Sequence, residues 1–300
     1  MIAKVKFQSE DEKREYVAAC DSDFEARLDD IMQTVCSKPD LHYVTLSGPT
    51  CAGKTTASRK LISEFKERGK EVKTVSLDDF FRNRAVLEAE AKAEGRDIDF
   101  DSERALDLPA LKAFIEALRE GRPAPLPKFD FVTGTRVSTE SFLPSEDDVI
   151  LFEGIQAIYP VFTDMIKGIP CYSLIINVED SLTVGDVTLS PRTVRLMRRL
   201  VRDYRFRAST PEFTFLLWET VKANEDKNIL PFTAGAEFHI NSLLGYEACM
   251  LKPYLEPLMK SIPTDSPYRK KADELLAALD GIDVIPAEYL PENALYKEFI

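Results

Sequence analysis

The sequence is poor in the residue on which many hydrolases and metalloenzymes depend. It has two histidines, His42 and His239, and both lie in apolar, strand-like runs. Histidine is the usual general base of a hydrolytic triad and a common ligand of zinc. The scarcity therefore argues against a Ser-His-Asp hydrolase and against an enzyme that relies on a metal alone. We expect both histidines to pack in the core.

Cysteine is also scarce. The chain carries five cysteines, an odd number with no close pairing: Cys20, Cys36, Cys51, Cys171 and Cys249. This scatter matches neither a disulfide framework nor a zinc site. No run approaches the roughly 18 apolar residues that a membrane span needs, and residues 1–8 lack the apolar core of a signal peptide. We therefore expect a cytoplasmic protein.

An excess of positive charge is missing as well. The chain has 39 Lys and Arg residues against 51 Asp and Glu residues, which gives a net charge of −12 at pH 7. Because nucleic-acid binding needs clustered positive charge, this balance argues against a general nucleic-acid binder. A guanine-reading segment of the N-K-x-D kind is also missing, which argues against a GTPase switch. The length of 300 residues allows one large domain or two small ones.

The most informative segment is 48–56, GPTCAGKTT, which matches the phosphate-loop pattern G-x-x-x-x-G-K-[ST]. A buried strand is predicted before it over 42–47, and an amphipathic helix after it over 56–68. Its glycines let successive backbone N–H groups point at phosphate oxygens, and the helix N-terminus adds its positive dipole end. The lysine would reach the β- and γ-phosphates, and the threonine after it would hold Mg²⁺. The residues predicted to bind a nucleoside triphosphate are Gly48, Pro49, Thr50, Cys51, Ala52, Gly53, Lys54, Thr55 and Thr56.

The rest of the chain alternates apolar strands with helices. Further strands are predicted over 71–76, 149–152, 172–178 and 236–240, and a hairpin around Thr133 and Gly134. Helices are predicted over 10–37, 108–120, 191–207, 211–227 and 244–279, whereas 83–100 is predicted to be a mobile connection. This alternation indicates an α/β protein with a mostly parallel sheet and helices on both faces.

Three of the predicted strands end in residues that suit phosphoryl transfer. Gly48 follows the first strand, Asp78 the second and Glu153 the third. Because parallel sheets place ligands at the carboxyl ends of their strands, Asp78 is our candidate for the base that takes the proton of an acceptor hydroxyl. Glu153 is the candidate for a metal-associated carboxylate. The alternative is that both are solvated acids at strand ends.

The predicted helix 191–207 contains seven arginines. Arg195, Arg198, Arg199 and Arg202 are spaced at i, i+3, i+4 and i+7, so they share one helical face. We interpret this helix as a lid that closes over the triphosphate and excludes water. The alternative is a solvated basic stripe paired with nearby acids.

Several ordered motifs, from about residue 41 to 258, together resemble the uridine kinase family, within the larger group that includes phosphoribulokinase. They are GPTCAGKTT (48–56), SLDDFF (76–81), DFDSERALD (99–107), PKFDFVTGTR (127–136), VILFEGI (149–155) and RLMRRLVRDYRFR (195–207). The last motif, with FHINSLLGYEACMLKPY (238–254), is most similar to a branch that is often joined to a threonyl-tRNA-synthetase-like N-terminal region. Residues 1–40 are too short for that region, so we expect the kinase part alone.

The resemblance implies a P-loop NTPase-type three-layer fold with a small substrate-binding hairpin and an arginine-rich lid. It also implies phosphorylation of a nucleoside 5′-hydroxyl with ATP and Mg²⁺, with uridine or cytidine as the first expectation. Asp78 would face that hydroxyl, and Asp101 would hold the other ribose hydroxyls. The further residues carried over are Phe81, Phe129, Asp130, Arg136 and Arg199 for the substrate, Arg202 and Arg207 for the nucleotide, and Thr55 and Glu153 for Mg²⁺. Family members commonly self-associate, which implies a homo-oligomer.

The sequence departs from the family where the base is read. Uridine kinases carry a tyrosine where Phe129 stands, a histidine where Gly134 stands, and an arginine and a glutamine at the positions of Ser209 and Leu217. Because an apolar pocket discriminates less than one that hydrogen-bonds a base, base specificity does not transfer. Two alternatives therefore stay open: a kinase for another hydroxylated metabolite, such as a sugar phosphate or a pantothenate-like alcohol, and a non-catalytic ATP-binding module.

We expect three parts along the chain: an N-terminal helical extension over 1–40, a kinase domain over 41–260 with its lid over 191–227, and a C-terminal tail over 261–300 packed on the kinase domain. The choice of ATP or GTP as donor is left open by the sequence.

Overall fold

A computed structural model of the protein describes residues 1–96 and 99–300. Its helices are α1 (Glu10–Cys36), α2 (Lys54–Glu67), α3 (Arg84–Glu94), α4 (Leu108–Arg119), α5 (Pro160–Met165), α6 (Pro191–Arg207), α7 (Pro211–Asn228), α8 (Leu230–Thr233), α9 (Glu247–Lys260) and α10 (Arg269–Leu279). Its strands are β1 (Tyr43–Ser47), β2 (Val72–Ser76), β3 (Ala124–Asp130), β4 (Thr135–Phe142), β5 (Val149–Glu153), β6 (Cys171–Asn177), β7 (Leu182–Val184), β8 (Val187–Leu189) and β9 (Phe238–Asn241). Within these two ranges, no helix combines the length and the apolar content needed to cross a bilayer.

Five of the strands form one sheet in the order β2-β5-β1-β6-β9, and every neighbouring pair in it is parallel. The strands β3 and β4 form the predicted antiparallel hairpin, which stands apart from this sheet. A second small hairpin, β7 with β8, was not predicted. The α/β fold class with a parallel sheet is confirmed.

Alternate residues of the central strands enter two separate hydrophobic clusters, as expected for a sheet that is covered on both faces. Leu46 and Leu151 pack with α1, α2, α6, α9 and the C-terminal residues. Ile150 and Phe152 pack on the other face with α4 and the base of the β3–β4 hairpin. Residues from 1–40 and from 261–300 therefore share a core with the central sheet.

Residues 84–94 form α3, so the prediction of a mobile connection over 83–100 is wrong for this part. Leu87 and Ala91 lie one helical turn apart and are buried, and Gly95 ends the helix in the left-handed conformation. Two buried residues among many charged ones make too weak a pattern to detect. The part of that prediction at residues 97 and 98 lies outside the described residues.

The two histidines are exposed, so the prediction that they pack in the core is wrong. His42 precedes β1, between the buried Leu41 and the half-buried Tyr43. His239 lies on the edge strand β9, where its Nδ1 is 2.9 Å from Glu179 Oε1. Edge strands leave alternate side chains in solvent, which a short apolar run does not reveal.

The arginine-rich helix α6 forms as predicted, but its first half is buried and points into the core. Arg195 pairs with Glu225 and Arg198 pairs with Glu247, and all four side chains are almost completely buried. The guanidinium groups also donate to the phosphate loop, Arg195 to Thr50 O at 3.1 Å and Arg198 to Cys51 O at 3.1 Å. These two arginines are therefore structural, and neither the solvated stripe nor the lid describes them.

We expect Glu247→Ala to destabilise the fold strongly, because it leaves Arg198 buried without its counter-ion. Breaking a buried ion pair from one side costs about 3–5 kcal/mol of the free energy of unfolding. Urea denaturation of the purified variant measures the change. Glu256→Ala is the matched control, since Glu256 lies on the same helix in an exposed pair with Lys260 and its loss should not change the urea midpoint. Equal midpoints for the two variants would contradict the role given to Glu247.

Candidate active site

The phosphate loop connects β1 to α2 and has a backbone that few side chains would tolerate. A Cβ added to Gly48 would lie 2.2 Å from the carbonyl oxygen of Ile176 on β6. Gly53 has φ of 97° and Cys51 has φ of 57°, both left-handed. Successive left-handed and right-handed residues turn neighbouring N–H groups towards one side and form an anion-binding nest. The loop therefore has the shape that a phosphate group needs.

Lys54 is a half-buried cation at the start of α2. Its Nζ donates to Gly48 O at 2.6 Å and to Pro49 O at 3.2 Å. In the described part of the chain, no carboxylate lies within 4.0 Å of this ammonium group. Burial lowers the pKa of Lys54, and the charge of Asp78 opposes that effect. An ammonium group held by carbonyl oxygens, with no carboxylate beside it among the described residues, fits the phosphates of a nucleotide.

The strand register brings the predicted acids next to this loop. Glu153, at the end of β5, is level with Leu46 of β1 on one side and Ser76 of β2 on the other. Asp78 follows two residues after Ser76, in the 3₁₀ turn Leu77–Phe80. The expectation that these strand ends converge is correct.

The acids are close enough to Lys54 and to one another to change their pKa values. Burial raises the pKa of Asp78 to about 6, with Lys54 opposing and Glu153 adding to the rise. Burial also raises the pKa of Glu153, against a hydrogen bond from Ser58 and the charge of Lys54. A carboxyl group with a raised pKa beside the lysine of a phosphate loop is well suited to accept a proton.

A cleft of about 460 Å³ opens beside Asp78. Of the residues predicted for the site, it is lined by Thr50, Asp78, Phe81, Asp101, Phe129, Arg199 and Arg207. One wall is aromatic: the ring centroids of Phe81, Phe129 and Phe131 lie between 5.1 and 5.9 Å apart, with the rings meeting edge to face. The cleft thus combines a proton acceptor, a second carboxylate, an apolar wall and guanidinium groups.

Asp101 is held in the cleft through its backbone. The Tyr159 hydroxyl donates to Asp101 O at 2.6 Å, and Asn224 Nδ2 donates to that hydroxyl at 3.2 Å. Burial and the neighbouring Asp99 raise the pKa of Asp101, whereas the charge of Arg199 lowers it. Tyr159 and Asn224 were not predicted, because no local motif links them to a loop so far away in sequence.

The three arginines that the resemblance assigns to the substrate and the nucleotide meet at one buried acid, Asp203. Arg199 Nε lies 3.1 Å from its carboxylate, Arg202 Nη2 lies 2.7 Å from it and Arg207 Nη1 lies 3.6 Å from it. One negative charge cannot offset three positive ones, so this end of α6 is electropositive towards the cleft. The signal for Asp203 is present in the motif RLMRRLVRDYRFR, as the single acid among its arginines.

Two residues predicted for the substrate do not line the cleft. The Asp130 carboxylate accepts a hydrogen bond from Val132 N at 2.8 Å and one from the Thr133 hydroxyl at 2.9 Å, so it caps the hairpin turn. Arg136 Nη2 pairs with Asp107 at 2.9 Å and lines a neighbouring cavity of about 960 Å³. These local pairings are not visible in a motif carried over by position.

Asp79 is a further acid that was not predicted and that fixes the hairpin to the site. Its side chain is buried and accepts from Phe129 N at 3.1 Å and from Lys128 Nζ at 2.9 Å. The 3₁₀ turn that presents Asp78 on one side therefore holds the aromatic wall on the other. The Asp78-Asp79 pair in the sequence is the only local sign of this division of roles.

The donors near the loop fit a magnesium ion that arrives with phosphates. Across residues 1–96 and 99–300, no three His, Cys, Asp or Glu side chains form a ready metal site. Mg²⁺ is usually bound by one or two protein oxygens together with substrate phosphates and water. The Thr55 hydroxyl, at the start of α2, and the Glu153 carboxylate are the side chains that can supply those oxygens. A bound Mg²⁺ would offset phosphate charge.

The sheet is parallel and a phosphate loop follows β1. Glu153 lies at the end of β5, and Asp78 follows β2, the next strand in the sheet. This arrangement defines a P-loop kinase. The structure of a possible uridine kinase from Bacillus stearothermophilus has the same fold, with a TM-score of 0.50 and 16% identity over 73% of this chain and 99% of that chain. The sequence profile of the Phosphoribulokinase / Uridine kinase family matches residues 43–245, and the chain belongs to this family. It is a small-molecule kinase, and ATP is the phosphate donor that this membership implies.

Its relatives are distant. The uridine kinase of Deinococcus deserti is 26% identical over 170 residues, which are 56% of this chain and 72% of that protein. The uridine kinase of Lactobacillus helveticus is 25% identical over 164 residues, 55% of this chain and 68% of that protein. At this identity the acceptor does not follow from the relatives, and the roles given to individual site residues stay predictions, as does the branch joined to a synthetase-like region.

We expect phosphoryl transfer to depend on the ionised form of Asp78. Because burial raises the pKa of Asp78 to about 6, kcat/KM should rise with pH up to about 6 and then level off. Asp78→Asn should lower kcat by about 10²–10⁴-fold, the usual contribution of a general base, while ATP affinity is retained. Steady-state kinetics across pH and calorimetry with ATP measure the two quantities.

Asp130→Asn is the control for this variant. It changes a carboxylate that the structure places in the hairpin turn and outside the cleft, so kcat should stay near the parent value. Full turnover by Asp78→Asn would remove Asp78 from the mechanism.

Proposed function

We propose that the protein phosphorylates the 5′-hydroxyl of a nucleoside with ATP and Mg²⁺, with uridine and cytidine as the first acceptors to test. The observation that carries the proposal is the position of Asp78, which lies between Lys54 and a cleft that also contains Asp101. An acceptor hydroxyl next to Asp78 faces the position where Lys54 would hold the transferring phosphate. Asp78 takes its proton as the new bond to phosphorus forms.

The remainder of the cleft suits the two halves of a nucleoside. Asp101 offers carboxylate oxygens that can accept hydrogen bonds from neighbouring sugar hydroxyls. The rings of Phe81, Phe129 and Phe131 present an apolar wall on which a planar base can stack. Stacking does not depend on the identity of the base, so this wall supports a nucleoside without selecting one.

Arg84 is a polar group beside this wall that can contact an acceptor. Its Nη2 donates to Phe131 O at 2.7 Å, and a Cβ added to Gly134 would lie 2.8 Å from Arg84 Cβ. The Arg84 side chain thus occupies the space that a side chain at position 134 would need. Among the residues with described positions, no carboxylate lies within 4.0 Å of the Arg84 guanidinium, which has further N–H donors to offer.

A second candidate acceptor is a hydroxylated metabolite that carries a negative charge, such as a sugar phosphate. Arg84, Arg199 and Arg207 all line the cleft, and guanidinium groups bind phosphate and carboxylate groups well. The same three donors can instead contact carbonyl oxygens of a base. The chemistry of the acceptor therefore separates the two candidates.

We expect an acceptor panel to identify a nucleoside. Purified protein with ATP and Mg²⁺ is incubated with pyrimidine and purine nucleosides, sugar phosphates and sugar alcohols, and the products are identified by mass spectrometry. Nucleoside 5′-monophosphates as products support the first candidate, and phosphorylated sugar phosphates support the second. If no acceptor raises the rate of ATP consumption above that of ATP hydrolysis alone, both candidates fail. The alternative of a non-catalytic ATP-binding module then stands.

We expect Arg84→Gln to raise the KM for the acceptor by about 10-fold or more, the value of one lost hydrogen bond to a charged group. The kcat should change little, because Arg84 contacts the hairpin side of the cleft and not the phosphate loop. Arg122→Gln, which changes an exposed arginine paired with Glu120, is the control. A fall in kcat with an unchanged KM would contradict a role for Arg84 in acceptor binding.

A further inference from the structure

The last residues of the chain lie against the phosphate loop. Leu295 occupies the space beside Gly53, where an added Cβ would lie 2.9 Å from Leu295 Cδ1. Three residues later, Glu298 Oε2 accepts hydrogen bonds from Thr56 N at 3.2 Å and from Thr56 Oγ1 at 3.3 Å. The side-chain carboxylate of Glu298 therefore binds to the segment that was predicted to bind phosphate.

The position that Glu298 takes is an anion site by its backbone geometry. Thr56 is the third residue of α2, so its N–H has no partner within the helix and lies at the positive end of the helix dipole. Burial lowers the pKa of Lys54, and the charge of Glu298 is among those that oppose this fall; the same charge also favours the charged form of Arg202. One carboxylate oxygen thus accepts from the N–H and the hydroxyl of Thr56.

The backbone around Glu298 is anchored independently of that carboxylate. Tyr296 and Phe299 are fully buried, and the Arg198 guanidinium lies over their rings at 5.6 and 5.0 Å from the centroids. The Tyr296 hydroxyl also donates to Glu247 at 3.2 Å. Glu298 itself is only half-buried, so its side chain can rotate away while its neighbours stay in place.

We propose that Glu298 is an intramolecular competitor of the nucleotide phosphates. A phosphate that binds the N–H of Thr56 must displace the Glu298 carboxylate, because both cannot accept from the same donor or share the same space. The protein then binds a triphosphate only in the fraction of molecules in which Glu298 has moved away, and the apparent affinity is reduced by that fraction. The C-terminal segment thereby sets how tightly the donor binds.

This inference depends on the proposed function in one respect only, that the phosphate loop binds a nucleoside triphosphate. It does not depend on the acceptor or on catalysis. The opposite role for a carboxylate near a phosphate loop is to help hold the nucleotide through Mg²⁺ or a base amino group. The two roles predict changes of affinity in opposite directions.

The test is calorimetric binding of ATP and of inorganic triphosphate to the full chain and its variants, without acceptor. Glu298→Ala should bind both ligands about 3- to 30-fold more tightly, as expected when one favourable carboxylate contact at a helix N-terminus no longer competes. Glu298→Gln should fall between Glu298→Ala and the parent, because it loses the charge but can still accept from Thr56 N. Adenosine, which has no phosphate, should bind no more tightly to the variants than to the parent.

Glu292→Gln is the matched control, because Glu292 lies exposed in the same C-terminal segment. The affinity of this variant for ATP should equal that of the parent. Thermal unfolding of each variant shows whether the fold is retained. If Glu298→Ala is unfolded, Glu298→Gln, whose side chain has the same shape as that of Glu298, replaces it in the test. Unchanged or weaker binding of triphosphate by the Glu298 variants would overturn the proposal, and so would the lack of any binding by parent and variants. Tighter binding without phosphorylation of any acceptor would support it while the proposed function fails.

Discussion

The buried pair of Arg198 and Glu247 is the interaction on which the site depends. Arg198 Nε donates to Glu247 Oε2 at 2.8 Å, and the same guanidinium donates to Cys51 O in the phosphate loop and to Ser242 O after β9. A charge that is removed from water needs partners on all sides, so Arg198 draws α6, α9, the loop and the end of the sheet together. The C-terminal rings of Tyr296 and Phe299 then complete the enclosure of this guanidinium.

A second constraint is the balance of charge around the loop. Lys54 has carbonyl oxygens as partners. Burial raises the pKa of Asp78, and the charges of Glu153 and Asp101 add to that rise. Burial lowers the pKa of Lys54, and the charges of Asp78 and Asp101 oppose that fall. Such an arrangement is costly in the absence of ligand, since both signs of charge are only partly compensated. A magnesium-bound triphosphate would supply negative charge to Lys54 and positive charge to the acids, so the site is prepared for that ligand rather than for its own stability.

The cleft that we propose to bind the acceptor is built differently from the phosphate loop. The loop offers backbone N–H groups and one lysine, whereas the cleft is lined by side chains from the 3₁₀ turn, α3, the β3–β4 hairpin and α6. Asp79 accepts hydrogen bonds from the hairpin and lies in the turn that carries Asp78. Asp203 pairs with Arg199, Arg202 and Arg207 of α6. Changes in hairpin and α3 residues can therefore alter the acceptor without disturbing the phosphate loop, and Gly134 with Arg84 is one such change.

The sequence by itself determined the α/β fold, the phosphate loop and the acids after β2 and β5, because each depends on local patterns: apolar runs, a short glycine-rich motif and residues at strand ends. Only the tertiary structure decided which members of the arginine-rich face enter the core, since the partners Glu225 and Glu247 lie 30 and 49 residues further along the chain. It also placed Asp130 and Arg136 outside the cleft, and it brought Glu298 to Thr56 across 242 residues. Contacts between residues so far apart depend on how whole elements pack, and no local pattern in the sequence records that packing.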